Sequence, residues 1–543
     1  MTQSRKATRH PRRNESNPNR GCSLDSARAG DDSTTSCGRC RKSPLHSLRP
    51  CHFAIGVQTG FLMHITRFIP PSIPGIALAF ALVCPAMAAG ETAPPPFPPT
   101  PNPAQMRWHK AEYRMFAHFG MKTFYPSDDH MGYGKEDPKK FNPKHFDANQ
   151  WVEAAKAGGF EGIVLTAKHH DGFCNWQTDT TDHCVKSSPW KSGKGDIVRE
   201  LAEACRRGGI SFGIYVSIID KHFEVAPSPK FDTYNDYYLA QLQELSTRYG
   251  PVDEYWFDGY KSKETKLDYR KLADIIRKNQ PDAVVYDSGT LAKYLPDRCL
   301  SWPGHHGGTK PDQNYRCDIE GTLRWYPQEP SIILQGNWFH NGKPITSLKR
   351  IQDEYLTSVG YGVTPLMNVS PNADGLIDPA SVARLKEFKS WIDRLHANDL
   401  ARADGVKITA KSIRDNSPKF GPQRAIDGNP DTYYATDDGV TDAVLEIHLA
   451  KAQKIDGFIL QEFIPLGQRV HGYRIDCWTD GKWTEVFSGS TIGYKRIILE
   501  GRASAKGVVF PATDRVRLTI DHALACPLIS TFQVLGGTDT QRP

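Results

Sequence analysis

The stretch 253-DEYWFDGY-260 decides how this chain folds. Its centre, EYWF, is an aromatic, β-favouring run between Gly250-Pro251 and Gly259, and Asp258 follows the last apolar residue directly. A carboxylate is costly to bury unless it is paired, so an acid at a strand tip asks for a reason. The same arrangement recurs along the chain. The strand 162-GIVLTAK-168 runs into His169-His170-Asp171-Gly172, 212-FGIYVS-217 ends on Ser217, 283-AVVYD-287 ends on Asp287, and His118 closes an earlier apolar run. Between these strands lie helical stripes: Ile197, Val198, Leu201, Ala204 and Cys205, then Tyr238, Leu242, Leu245 and Tyr249, the second ended by Gly250-Pro251. Strand and helix alternate from Met106 to about Asn398, which predicts an α/β domain with a parallel, (β/α)8-like barrel. Catalytic groups of such barrels stand where strands end. Any one of these polar residues alone reads equally well as a turn or cap, but as a set they predict a site.

Beyond about Asp404 the pattern changes to short strands with regular turns: KITAKSI, AVLEIHL, KIDGFILQEF, GYRIDCWT, KWTEVFSGS, KRIILEG, KGVVF and RVRLTI. This predicts an all-β sandwich over 405–538, with 425-AIDGNPDTYYAT-436 as a surface loop. No aromatic platform stands out in it, so packing against the barrel is its expected role.

The formal charge of +7 does not indicate nucleic-acid binding. Residues 1–62 hold eleven Lys/Arg against four Asp/Glu, and the chain is close to neutral afterwards. That segment reads as disordered or as a mis-assigned extension. MHITRF from Met63, the apolar run ending at Cys84 and Ala86-Met87-Ala88 form a signal peptide over 63–88, which implies a secreted or periplasmic protein without stable membrane insertion. Lipidation of Cys84 is the weaker reading, because Val83 is unusual before a lipidated cysteine. A Pro-rich spacer covers 89–105. Seven of the twelve cysteines follow the signal, with Cys299–Cys317 and Cys477–Cys526 as conceivable disulfides. Cys37 and Cys40 have zinc-knuckle spacing without a second pair.

Two features point to a sugar substrate. Trp108, Phe119, Phe173, Trp176, Tyr215, Trp256, Trp302 and Trp338 are expected near strand ends, where amphipathic rings can stack on a pyranose. Motifs for dinucleotides, nucleotide phosphates, zinc proteolysis and serine hydrolysis are missing. His169-His170 lacks a third ligand at metal spacing, so no metal and no cofactor is expected.

The segments 116-FAHFGM-121, 134-GKEDPKKFNP-143, 165-LTAKHHDGFCNW-176, 195-GDIVRE-200, 254-EYWFDG-259, 338-WFH-340 and 366-LMNVSPNADGLI-377 together resemble the α-L-fucosidases of glycoside hydrolase family 29. The C-terminal region resembles the discoidin-like (F5/8 type C) sandwich often appended to them. The resemblance implies a retaining exo-hydrolase of terminal α-L-fucose on oligosaccharides or glycoproteins. It implies Asp258 as nucleophile, His118, His169 and His170 as hydroxyl-binding residues with Tyr215 and Trp256 beside them, and Trp338 facing the sugar's methyl group. A retaining pair of carboxyls stands ~5–5.5 Å apart.

The chain departs from the family at the acid/base. Where relatives carry Trp-x-Gly-Asn-Glu it has 302-WPGHHGG-308, with His306 at the comparable place, followed by 317-CDIE-320. Glu320 is the first choice for acid/base, Glu329 the second and Asp318 the third. His130-Met131-Gly132 replaces a Glu-Trp-Gly, so a hydroxyl contact has changed or has passed to Asp129. This mixture suggests an unusual acceptor such as α1,3-linked core fucose of N-glycans. A glycan-binding protein that has lost its acid/base is the alternative.

Overall fold

A computed structural model describes residues 92–227, 229–259, 266–287, 290–303, 307–309 and 313–537. The expectations for residues 1–88, including Cys37, Cys40 and Cys84, and for His306 lie outside these residues, as does the Asp287 side chain.

Eight parallel strands form one sheet in chain order: β1 (Arg114–Ala117), β2 (Gly162–Lys168), β3 (Ser211–Ser217), β4 (Glu254–Asp258), β5 (Val284–Asp287), β6 (Cys299–Ser301), β7 (Ser331–Ile333) and β8 (Leu366–Asn368). β8 lies between β1 and β7, and a bridge from Ser301 to Gln328 brings the two sheet edges together. The sheet therefore curls into a barrel. Helices α1 (Pro103–Ala111), α2 (Ala148–Ala157), α3 (Ile197–Gly208), α4 (Tyr234–Thr247), α5 (Tyr269–Asn279), α6 (Leu348–Leu356) and α7 (Pro379–Ala397) surround it. Local sequence sets their ends. The side chains of Asp147, Asp196, Thr233 and Asp268 accept the first free amides of α2 to α5, and Gly209, at φ 70°, stops α3.

The barrel differs from eight full repeats. Among the described residues a single 3-10 turn, Leu291–Lys293, follows β5, and a hairpin of Arg316–Ile319 and Thr322–Trp325 follows β6 where a helix would stand. The expected spacer is also not free. Pro95 and Thr92 carbonyls accept from Arg469 and Arg414, and α1 already opens at Pro103.

The sandwich pairs Lys407–Ala410, Ala443–Lys454, Ala512–Ala523, Val470–Thr479 and Lys482–Gly489 in one antiparallel sheet. Tyr434–Ala435, Leu528–Leu535, Gly457–Glu462 and Arg496–Leu499 form the other. Ile497, Leu499 and Leu535 join the barrel's own apolar cluster, and Arg502 pairs with Asp353 of α6, so this domain packs on the barrel. Two expectations are corrected. KGVVF is a loop, because Gly507 turns at φ 77° and Val509 is exposed. The tail of 425–436 is core strand, with Tyr434 and Ala435 buried. All seven cysteines in the described residues are free thiols, so neither suggested disulfide forms here. Cys477 lies opposite Val516 in its sheet, while Cys526 Sγ takes a bond from Arg469.

Candidate active site

The inward-facing side chains form layers. Phe116, Val164, Tyr215, Trp256, Tyr286 and Leu366 fill the middle of the barrel, with Trp256 stacked on Tyr286 at 3.7 Å. Above them, at the C-terminal ends of the strands, Asp258 stands with its side chain 40% exposed. Tyr215 Oη donates to Asp258 Oδ2 at 2.9 Å, and His170 Nε2 lies 3.5 Å from the same oxygen. His170 Nδ1 is 2.6 Å from Ser217 Oγ, whose oxygen also accepts the Ile219 amide. His170 thus faces the Asp258 carboxylate with Nε2 and the Ser217 hydroxyl with Nδ1.

His118 is held by a side-chain amide. Asn368 spends its amide protons on the Trp338 carbonyl and Ser370 Oγ, so its oxygen accepts from His118 Nδ1 at 2.7 Å. That leaves His118 Nε2 as an acceptor. His169 stacks on Tyr215 at 5.4 Å and stands 5.6 Å from His118. Burial lowers His118 to about 3 and His170 to about 4, and holds His169 well below the usual histidine range. All three rings are neutral near pH 7, fit to exchange hydrogen bonds with uncharged hydroxyls. Half-buried Trp338 lies 4.8 Å from His118 and closes one wall with Phe339. Asp258, His118, His169, His170, Tyr215, Trp256 and Trp338 are thus brought together.

Sequence reasoning treated His130 only as a departure, yet its ring stands 6.2 Å from His169 on the loop after β1. Burial lowers its pKa while the charge of Asp258 opposes the shift. Asp129 Oδ1 accepts the Met131 amide in the same loop. Lys221 Nζ and His222 Nδ1 hold this loop through the Gly132 and Gly134 carbonyls. Its neighbours were the only available signal, a histidine in the loop following a strand that ends in histidine.

The glutamates are placed differently. Glu329 is 1% exposed below the aromatic layer, where Trp108 Nε1 and Trp256 Nε1 donate to its two oxygens at 2.8 and 3.0 Å. Arg114 stands 3.6 Å away and is paired with Glu254. Burial raises both carboxyls, and the Arg114 guanidinium opposes the shift in each. Glu329 is therefore a supporting residue behind Trp256, which corrects its second-choice assignment. Glu320 is exposed at the hairpin turn, beside Arg270, Arg277 and Lys293 on the barrel flank, outside the Asp258 cluster. Asp318 accepts the Gly321 amide in the same turn. The predicted aromatics also divide. Trp108 lies on α1, Phe119, Phe173 and Trp176 belong to the apolar core, and Trp302 is 40% exposed. Among the described residues no group of three His, Cys, Asp or Glu could hold a metal ion, and no helix is long and apolar enough to cross a membrane.

Comparison with known proteins adds to this geometry. The family model for alpha-L-fucosidase matches residues 98–396, and the F5/8 type C domain model matches 407–522. Alpha-L-fucosidase 1 of Arabidopsis thaliana is 34% identical over 461 residues, 80% of this chain and 87% of that protein. A GH29 fucosidase from Ruminococcus gnavus, solved in complex with fucose, superposes with a TM-score of 0.74 at 27% identity, covering 83% of this chain and 98% of that one. A glycoside hydrolase 29 family member from a rumen bacterium gives 0.66 at 28% identity, covering 82% and 79%.

Proposed function

Since the chain belongs to the alpha-L-fucosidase family and is a glycoside hydrolase with α-L-fucosidase activity, we propose that it works by retention, through a fucosyl-enzyme on Asp258. The observation that carries this reading is the half-exposed Asp258 carboxylate at the end of β4, held by Tyr215 and His170 amid neutral rings. Such a carboxylate attacks the anomeric carbon, and its partner first protonates the leaving oxygen and then activates water. Neutral His118, His169 and His170 would exchange hydrogen bonds with the sugar's hydroxyls, while Trp338 offers an apolar wall to its methyl group.

For the proton donor we keep Glu320, which would reach the Asp258 mouth only by a swing of the Arg316–Ile319/Thr322–Trp325 hairpin off the barrel flank. Its carboxyl is exposed, whereas that of Glu329 is sealed under two indoles. Its backbone, at φ 52° ahead of Gly321, has the positive φ that the two-residue hairpin turn requires. The linkage reading is α1,3-linked fucose, on the strength of the altered 302–320 segment and of His130. We further propose export through residues 63–88, with cleavage near Ala88 rather than lipid attachment at Cys84.

Turnover of p-nitrophenyl α-L-fucoside beside α1,2-, α1,3-, α1,4- and α1,6-fucosylated glycans tests these readings together. The expected result is release from α1,3-linked glycans, with Glu320→Gln sparing only the activated substrate. Release from α1,2 linkages alone overturns the linkage reading. A Glu320→Gln enzyme that cleaves glycans at the wild-type rate moves the donor elsewhere in residues 302–315. The mass of the exported protein tests cleavage: a lipid-modified N-terminus overturns it.

A further inference from the structure

The loop after β1 rests on the turn after β2, and two buried acids flank the place where they touch. Asp171, in that turn, is 1% exposed, and Glu136, at the end of the loop, is 7% exposed. Each spends one oxygen on a backbone amide: Asp171 Oδ1 accepts from Phe173 at 2.8 Å and Glu136 Oε1 from Tyr133 at 2.7 Å. The other oxygens, Asp171 Oδ2 and Glu136 Oε2, are buried without a partner among the described residues. Gly132 lies between the two side chains. A Cβ on it would come 2.7 Å from Asp171 Cβ and 3.1 Å from Glu136 Oε1, and its φ is 70°, so the loop closes here only on glycine. Two residues earlier the same loop carries His130, whose ring stands 6.2 Å from His169 in the sugar pocket.

The surrounding charges leave this pair of acids without a cation of its own. Lys168 is taken by Asp220, while Lys122 and Lys221 give their ammoniums to Ser127 Oγ and the Gly132 carbonyl. His222 is spent on the Gly134 carbonyl and His170 faces Ser217 and Asp258, while His169 stacks on Tyr215. Burial first, then the charges of Glu136 and Asp220, raises Asp171 to about 7, against the Phe173 amide and Lys122. We propose that Asp171 is a positioning residue: while it carries a proton, the loop after β1 seats against it and holds His130 at the sugar pocket. Loss of that proton sets a second negative charge against Glu136 across Gly132, and the loop shifts His130 away from His169. The inference rests on the fucose site and on neither the fucosyl-enzyme nor the linkage.

The test is the affinity of the full chain for α-L-fucose, measured by calorimetry between about pH 6 and 8.5, with Asp171→Asn and Glu136→Gln beside the wild type. Binding of fucose involves no chemical step, so ionisation of the proton donor during turnover does not enter. Wild-type affinity is expected to weaken about fivefold over this range, the equivalent of one lost hydrogen bond. Asp171→Asn keeps an oxygen for the Phe173 amide and cannot ionise, and Glu136→Gln removes the charge that Asp171 would meet. Both are expected to hold the wild-type pH 6 affinity across the range. A wild-type affinity that ignores pH overturns the proposal, and so does a weakening that survives in both variants. Variants that bind weakly at every pH would leave Asp171 a structural role only and overturn it too. Absence of fucose binding at every pH would refute the sugar pocket itself, and this inference with it.

Discussion

The two ends of the barrel treat buried polar groups in opposite ways. At the mouth, histidines are kept neutral around one carboxylate that remains open to solvent. At the floor, Arg114, Glu254 and Glu329 are sealed together, and the two oxygens of Glu329 are spent on indole protons. Trp256 separates the ends and belongs to both, with its ring in the middle layer and its N–H on Glu329. The difference shows which acids can react. A carboxyl whose hydrogen bonds are complete supports the wall, and one that keeps open solvent can meet a substrate.

Four changes would break or sharpen that contrast. Asp258→Ala should cut kcat at least roughly a thousandfold, as expected for loss of a covalent nucleophile, with exogenous azide restoring turnover as β-fucosyl azide. Wild-type-like rates would remove Asp258 from the chemistry. At the other end, Arg114→Met leaves buried carboxyls without their cation and should cost about 3–5 kcal/mol in denaturant unfolding. Asp258→Ala should stay within about 1 kcal/mol, and equal losses at both ends would erase the distinction.

The third change is in pH. His109, His118 and His183 are lowered by burial to about 3 and His170 to about 4. The unfolded chain takes up these protons below about pH 6.5 and the folded one does not, so stability should fall as pH drops from about 6.5 toward 4. Thermal scans between pH 7 and 4.5 should show Tm declining, less steeply than the histidines alone would give. The reason is Asp171, raised by burial to about 7, which takes up a proton in the folded state over the same range. A Tm that rises on acidification would mean the carboxyls outweigh the rings. The smallest effect belongs to Asn368→Ala, which releases the His118 tautomer. It should raise KM by up to about tenfold and, because the buried amide also holds the Trp338 carbonyl and Ser370, cost about 1–3 kcal/mol of stability. A change in kcat alone would place Asn368 in the chemical step instead.

Much of this was legible in the sequence, for a definite reason. Strands ending on His118, His169-His170, Ser217 and Asp258 have their last apolar residue fixed by the barrel wall, so the following polar residue must stand at the mouth. That regularity showed both the barrel and the cluster. It could not show the hairpin of Arg316–Ile319 and Thr322–Trp325, whose strands are four residues each and carry charges on both faces. It therefore could not show that Glu320 would stand on the flank. Nor could it locate Glu329, whose partners Trp108 and Trp256 lie 221 and 73 residues away. In the sandwich, KGVVF has strand composition, but Gly507 makes a turn that composition alone does not reveal. Tyr434–Ala435 pairs with Leu528 and Ile529 over only two residues, too few for a period.

The most direct test of a fucosyl-enzyme on Asp258 is peptide mass spectrometry after inactivation with an activated 2-deoxy-2-fluoro-α-L-fucoside. The expected result is one fluorofucosyl adduct on the peptide containing Asp258. An adduct on a different carboxylate, or no adduct together with β-fucose as the first-formed product, would contradict the assignment.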